Sequence, residues 1–254
     1  MHFEVNGPYS AEKLFELHKD IKKGQPSFAN LRADPKEAWK GSPAVLRGPG
    51  IYGVFCKGNL AYVGVYTGNK RKTFVGSAID RWFMHLTYFS LRSPKISFAP
   101  KNMARILAEL SDGAPSKAFA TLLEKANWKA GDLKGVQVPF LTGGNSCTYN
   151  KANFATRNWD VFAPGKETEM MTNISFVYAR FLPETVSLLG NLAGTPEGYR
   201  WVKKKWLTPR EGHLIKTLRP ICNSQTKKDP RHNVCVDEFI TALRAEMEKP
   251  LAAV

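Results

Sequence analysis

Residues 50–65 read Gly50-Ile51-Tyr52-Gly53-Val54-Phe55-Cys56-Lys57-Gly58-Asn59-Leu60-Ala61-Tyr62-Val63-Gly64-Val65. Two apolar runs, Ile51 to Cys56 and Leu60 to Val65, are rich in Ile, Val, Phe and Tyr and flank Lys57-Gly58-Asn59. Runs of that composition around a Gly/Asn turn predict a β-hairpin. Tyr52 and Tyr62 stand ten positions apart. A short turn between antiparallel strands brings both phenols to one face.

Outward from the hairpin, a basic loop runs from Tyr66 to Gly76 and carries Lys70, Arg71 and Lys72. Ser77 then caps a predicted helix to about Phe89, on which Arg81 and His85 are four apart and share a face. Upstream, Ser10 caps a predicted N-terminal helix with Leu14, Leu17, His18 and Ile21 at helical spacing, stopped by Gly24 and Pro26. Downstream, helices are predicted near 102–110 and 116–128, and strands near Val136–Leu141 and Ile174–Phe181. Further helices are predicted from Pro183 to about Asn191, from Pro196 to Lys204, from Thr208 to before Pro220, and over Asp237–Glu248. Thr208-Pro209-x-Glu211 has the form of a helix start, with Thr208 as cap and Pro209 at the first helical position. The pattern predicts a mixed α/β (α+β) chain, a small antiparallel sheet with flanking helices.

The charge points to a partner. Lys and Arg number 37 against 22 acids, a net charge of +15 in 254 residues, with 43% hydrophobic residues. That apolar share fits a folded chain and excludes a disordered basic tail. An excess of this size attracts polyanions. The longest apolar runs, such as Ile174–Tyr178, fall far short of the ~20 residues that span a bilayer. With no basic amphipathic helix, a membrane is not the expected partner and nucleic acid is. The first residues lack the pattern of a signal peptide and the four cysteines are scattered, so the expected location is cytoplasmic. Ten Lys/Arg against two acids crowd residues 200–231, including Lys203, Lys204 and Lys205. Asn150, Lys151, Asn153 and Arg157, in an acid-free stretch from Thr148 to Trp159, have the donors and acceptors for reading bases.

Phosphodiester cleavage gives these residue types a common use. An arginine fork stabilises the charge of the pentacovalent transition state. A carboxylate holds a hard divalent cation. A phenolate or neutral imidazole takes the proton of the attacking water, although a tyrosine needs a neighbouring cation to do so near neutral pH. The same residues also have structural uses. Tyr52 and Tyr62 suit cross-strand pairing, Arg81 suits an ion pair with Asp80 or Glu109, and Glu211 suits a capping box with Thr208. His213, Cys222, His232 and Cys235 lie close together in sequence but lack the paired Cys-x-x-Cys spacing of common zinc modules.

Taken in order, Gly50-Ile51-Tyr52, Tyr62-Val63-Gly64, Arg81, His85, Glu211 and Asn223 resemble the GIY-YIG nucleases, with Val63 where the pattern has Ile. The matching segments are 50–91 and 176–224. The long interval from His85 to Glu211 resembles the insertions of the family's type II restriction endonuclease branch. The resemblance implies a single nuclease domain over 1–254. Within it fall an N-terminal helical extension (1–49), the GIY-YIG core (50–91 and 176–224), a DNA-recognition insertion (92–175) and a C-terminal helix (225–254). It implies a metal-dependent endonuclease that cuts double-stranded DNA at a specific sequence and leaves 5′-phosphate and 3′-hydroxyl ends. Structure-specific or homing nucleases, and a catalytically silent DNA-binding protein, are the alternatives.

In the implied mechanism Tyr52 accepts the proton of the attacking water, and Tyr62 places that water or takes the base role itself. Arg81 stabilises the phosphorane, and His85 binds the phosphate or polarises Tyr52. Glu211 holds one Mg²⁺ (or Mn²⁺) per site against the leaving 3′ oxygen, and Asn223 supports that shell. Lys70, Arg71, Lys72, Asn150, Lys151, Asn153, Arg157, Lys203, Lys204 and Lys205 contact DNA. A homodimer suits a palindromic site, and a cognate DNA methyltransferase would be the partner enzyme.

Overall fold

The computed structural model describes residues 2–19, 31–41, 43–69, 74–89, 96–98, 145–147, 149–162, 165–226 and 229–254. Its strands are β1 (Phe3–Ser10), β2 (Phe15–Lys19), β3 (Leu31–Pro35), β4 (Gly50–Cys56), β5 (Asn59–Tyr66), β6 (Ile96–Phe98), β7 (Asn145–Cys147) and β8 (Ile174–Phe181). Its α-helices are α1 (Ala11–Leu14), α2 (Ile79–Phe89), α3 (Tyr149–Arg157), α4 (Trp159–Phe162), α5 (Glu167–Asn173), α6 (Pro196–Trp201), α7 (Thr208–Leu218) and α8 (Val236–Glu248), and the helix expected from Pro183 is a 3₁₀ segment over Pro183–Leu192. The class is mixed α+β, with a small antiparallel sheet and flanking helices. No helix of the described residues is long and apolar enough to cross a membrane. The expected helices near 102–110 and 116–128 and the strand near 136–141 lie outside the described residues, as do Lys70, Arg71 and Lys72.

The chain divides into two compact units, one of Met1–Leu14, Pro35–Trp82 and Thr172–Val254, the other of Phe15–Asp34 and Phe83–Met171. The first unit is built on a four-stranded sheet in the order β1-β8-β4-β5, with every neighbouring pair antiparallel. The hairpin turns at Lys57 and Gly58, which both take positive φ, 51° and 75°. That is the left-handed pair a tight hairpin turn demands, and glycine takes it without strain.

The two sheet faces do different work. Ile51, Phe55, Val63, Val177, Ala179 and Phe181 pack on Trp206, Leu214, Ile215 and Leu218 of the α6–α7 region and on Phe239, Leu243 and Met247 of α8. Close approach there requires Gly53, because a Cβ at that position would lie 2.7 Å from the Phe239 ring. The opposite face carries aromatic residues: the register sets Tyr52 across from both Gly64 and Tyr178, and Val54 across from Tyr62 and Phe176. Trp82 lies over it, stacked on Phe176 at 4.7 Å and 11°, and edge-on to Tyr52 and Tyr178.

Three expectations change. The N-terminal segment is not a helical extension. Phe3–Ser10 joins the sheet beside β8, where Glu4 faces Arg180 and accepts from its Nε and Nη2 at 3.0 and 2.7 Å. Ser10 does cap a helix, with Oγ accepting from Lys13 N–H at 3.2 Å, but α1 ends after one turn and the chain continues as β2. Pro8 is tolerated because β1 is terminal in its sheet and its pairing is irregular between Asn6 and Tyr9.

Thr208 is not a cap. Residue 207 is already helical, and α6 runs into α7 through a π-turn at Val202–Leu207, in which Thr208 N–H donates to Lys203 O. Pro209 has no N–H to donate, and a wider preceding turn accommodates the loss. The sheet-bearing unit also differs from the expected core of 50–91 and 176–224, its middle segment running from Pro35 and stopping at Trp82. It takes in β1 and the C-terminal segment, where Leu60 N–H donates to Val234 O at 2.8 Å.

The second unit pairs β2 with β3 and β6 with β7, the latter in parallel. Its apolar residues include Leu86 and Phe89 of α2, Phe154 and Ala155 of α3, and Val161 and Phe162 of α4, all buried. Phe154 contacts the Phe89 and Phe162 rings at 6.0 and 5.8 Å.

Candidate active site

Tyr52 and Tyr62 meet on the Trp82 face of the sheet, ring centroids 6.2 Å apart and tilted by 39°. The glycine that ends Tyr62-Val63-Gly64 makes this possible. A Cβ on Gly64 would stand 2.6 Å from Tyr52 Cζ and Oη and from Tyr62 Cε1, so the phenol occupies the space a side chain would take. Gly50 has a similar role, since its Cβ would lie 2.2 Å from Ala179 O.

Tyr52 is 3% exposed. Burial raises its pKa well above the usual tyrosine value; Tyr62, Glu211 and Tyr178 add to the rise and Arg81 opposes it. Tyr62 is more open. Burial first, then the charge of Glu211, pushes it up to about 12, again against Arg81. Both are therefore neutral phenols near pH 7, and each needs a cation before it can hold a negative charge.

Arg81 sits in the first turn of α2. That end of the helix is fixed by Ser77 Oγ, which accepts from Ile79 N–H at 3.3 Å, and by Ala78 N–H, which donates to Leu46 O at 2.9 Å. One residue on, the fully buried Trp82 anchors the helix to the sheet. Arg81 itself is exposed and makes no ion pair among the described residues. Its charge acts on Tyr52, Tyr62 and Tyr66.

Glu211 lies in the first turn of α7 and is partly buried. Because no capping box forms, its carboxylate is not held by a Thr208 cap. Desolvation raises its pKa to about 7, and Lys203 pulls it the other way.

Asn223 has a different place from the one expected. Its Oδ1 accepts from Val63 N–H at 2.9 Å and its Nδ2 donates to Val63 O at 2.7 Å. The side chain thus pairs with the outer edge of β5 as a neighbouring strand would, helped by Cys222 N–H donating to Ala61 O at 2.8 Å. It positions the backbone between Tyr62 and Gly64, and both amide atoms are already bonded to that backbone.

His85 belongs to the second unit, where it is 7% exposed and its ring lies 5.0 Å from Phe89. Asn150, Lys151, Asn153 and Arg157 also belong there, on α3. Lys151 lies over the Phe89 ring at 5.8 Å and Arg157 is exposed. In the first unit Lys203, Lys204 and Lys205 are exposed, and Lys205 lies over the Trp201 ring at 5.5 Å.

Not every basic residue of 200–231 faces outward. Arg210 is 5% exposed, with its guanidinium donating to the carbonyls of Trp206, Glu246, Lys249 and Pro250. Arg200 pairs with Glu197, and Arg231 with Glu238.

Two residues of this face had no motif to mark them. Tyr66 stands across from Gly50, and its phenol fills the space a Cβ on Gly76 would need, at 2.5 Å. Burial and the charge of Asp80 raise its pKa to about 12 against Arg81. Tyr178 donates to Gly48 O. Tyr66 follows from the two-residue alternation with Tyr62 once β5 is seen to reach it, whereas Tyr178 is placed only by the strand register, which no local pattern encodes.

The donors fit a hard cation. A partly buried carboxylate stands near phenols, and no three His, Cys, Asp or Glu come together among the described residues. That set suits an ion that keeps much of its water and takes one carboxylate from the protein, as Mg²⁺ does. No family profile, curated protein or solved structure matches the chain.

Proposed function

We propose that the chain is a metal-dependent DNA endonuclease of the GIY-YIG type, hydrolysing phosphodiester bonds to 5′-phosphate and 3′-hydroxyl ends. Within that class we propose a sequence-specific type II restriction enzyme. One observation carries the reading: Arg81 and Glu211, from two separate helices, both act on the hairpin phenols Tyr52 and Tyr62 within one compact unit. A guanidinium with no ion pair among the described residues, acting on two phenols that also feel a desolvated carboxylate, is matched to a phosphodiester.

In this reading Arg81 binds the phosphate and stabilises the charge that gathers on it during attack. Tyr62, the more open phenol, orients the attacking water, and its phenolate, once formed by loss of the phenol proton to solvent and held by the neighbouring Arg81 charge, takes the proton of that water. Tyr52 lies deeper and aligns Tyr62. Glu211 would hold the Mg²⁺ ion, which would supply charge neutralisation at the leaving oxygen. The exposed lysines of the first unit bind the DNA backbone. A palindromic target would call for a homodimer, and a cognate methyltransferase would protect host DNA.

A second reading rests on the depth of Tyr52, which equally suits a DNA-binding protein whose tyrosines are core residues. Incubation with phage DNA and Mg²⁺ separates them. Discrete fragments support a restriction enzyme, and a smear supports a less specific nuclease. Intact DNA, with binding retained, overturns the enzyme.

A further inference from the structure

Lys203, Lys204 and Lys205 form one basic run in sequence, but they leave the helix in different directions. Lys203 and Glu211 are eight positions apart. In an unbroken α-helix, eight steps of ~100° would carry Glu211 about 80° beyond two full turns from Lys203. The π-turn at Val202–Leu207 changes this. Thr208 N–H reaches back to Lys203 O, five residues earlier. A π-turn accommodates one extra residue, so the interval turns like roughly seven α-steps and returns to within about 20° of the starting face.

The two side chains therefore lie on one face of the rod, two turns apart. Lys204 and Lys205 are rotated roughly 100° and 200° away from it. The Lys203 ammonium is exposed and makes no hydrogen bond or ion pair among the described residues. It acts on Glu211 from a distance, without closing onto it as a salt bridge. The two opposite charges share that face without pairing among the described residues. A phosphate fits that interval in charge, with oxygens for the ammonium on one side and for a cation held by the carboxylate on the other.

We propose that Lys203 is a catalytic residue that grips a non-bridging oxygen of the phosphate being cut, set there by the π-turn, while Lys204 and Lys205 serve the surrounding DNA backbone. This rests on the nuclease reading above and assigns one lysine of the run to the reacting group.

The test compares the wild-type chain with Lys203→Gln, Lys203→Arg and Lys204→Gln, using a duplex that the wild type cuts in Mg²⁺. Lys203→Gln should lower kcat roughly 10²–10³-fold, as loss of a transition-state donor does. Lys203→Arg should recover part of it. Lys204→Gln should act mainly on KM and its salt dependence. An unchanged kcat in Lys203→Gln, from a wild type that cuts, overturns the proposal and leaves the nuclease reading intact.

If the wild type cuts no DNA, the nuclease reading falls separately, and binding of thymidine 3′,5′-bisphosphate in Mg²⁺, followed by intrinsic fluorescence, decides the phosphate contact. Binding about tenfold weaker in Lys203→Gln than in Lys204→Gln, a ~1.4 kcal/mol difference, supports it. Equal affinities, or no binding by any variant, overturn it.

Discussion

Replacing Glu211 by glutamine should make the metal-free protein more stable at alkaline pH and no more stable at acid pH. Burial raises the Glu211 pKa from its ordinary 4.5 to about 7, so the folded chain holds that proton more tightly than the unfolded chain does. The stability linked to it is complete below pH 4.5 and is lost as the pH rises through 7. Above that range the folded protein carries a poorly solvated charge. At ~1.4 kcal/mol per pH unit the penalty is about 3 kcal/mol at full weight, and on the order of 1–2 kcal/mol once water reaching the carboxyl is allowed for. Glutamine has nearly the same shape and never carries the charge.

Urea unfolding in EDTA at pH 4 and pH 8.5 checks this, because the difference between wild type and variant cancels every group they share. The variant should gain about 1–2 kcal/mol at pH 8.5 and nothing at pH 4. Adding Mg²⁺ at pH 8.5 should then stabilise the wild type alone, since only its carboxylate holds the ion. A variant that is equal or weaker at pH 8.5, or whose advantage is the same at both pH values, would refute the account of Glu211 as a desolvated carboxylate.

Gly64→Ala drives a methyl group into the space of both tyrosine rings, with contacts of 2.6 Å. It should cost about 1–3 kcal/mol in urea and abolish DNA cleavage, because both phenols must move. Asn223→Ala leaves Val63 N–H and C=O without their partners at a buried edge. A loss of about 2–4 kcal/mol is expected by denaturant titration, and a loss below 0.5 kcal/mol would deny the amide its clasp. Arg81→Ala, at an exposed site, should leave stability within about 0.5 kcal/mol while cleavage falls about 10²–10³-fold. Equal cutting rates would remove Arg81 from the chemistry.

The hairpin could be read from residues 50–65 because every determinant is local: two apolar strands, a turn glycine, and glycines where rings crowd the backbone. β8 was legible for a similar reason, as a run of strand formers buried on both sides. β1 was not. Its partner lies at the far end of the chain, and Gly7-Pro8 interrupts the local pattern. Thr208-Pro209-x-Glu211 misled because a helix start and a π-turn before proline look alike until the preceding turn is seen. Among the candidate residues, Tyr52, Tyr62, Arg81 and Glu211 were singled out because their order resembles the GIY-YIG pattern. Asn223 was visible too, but its partner was not, since hydrogen bonds to a strand edge 160 residues away leave no mark in the surrounding sequence.

The clasp of Asn223 on β5 bears on how copies of the chain can meet. An open strand edge is a template for another strand, and proteins that pair through such an edge join their sheets into one. Here the β5 backbone at Leu60, Ala61 and Val63 already bonds to Val234, Cys222 and Asn223. Over Leu60–Val63 a second copy would have to displace these bonds before it could pair with the strand. The half of β5 that carries Tyr62 is thereby shielded from strand exchange and from edge-to-edge pairing. Association through this part of the flank has to be built from side chains, whose identity can vary without disturbing the sheet beneath.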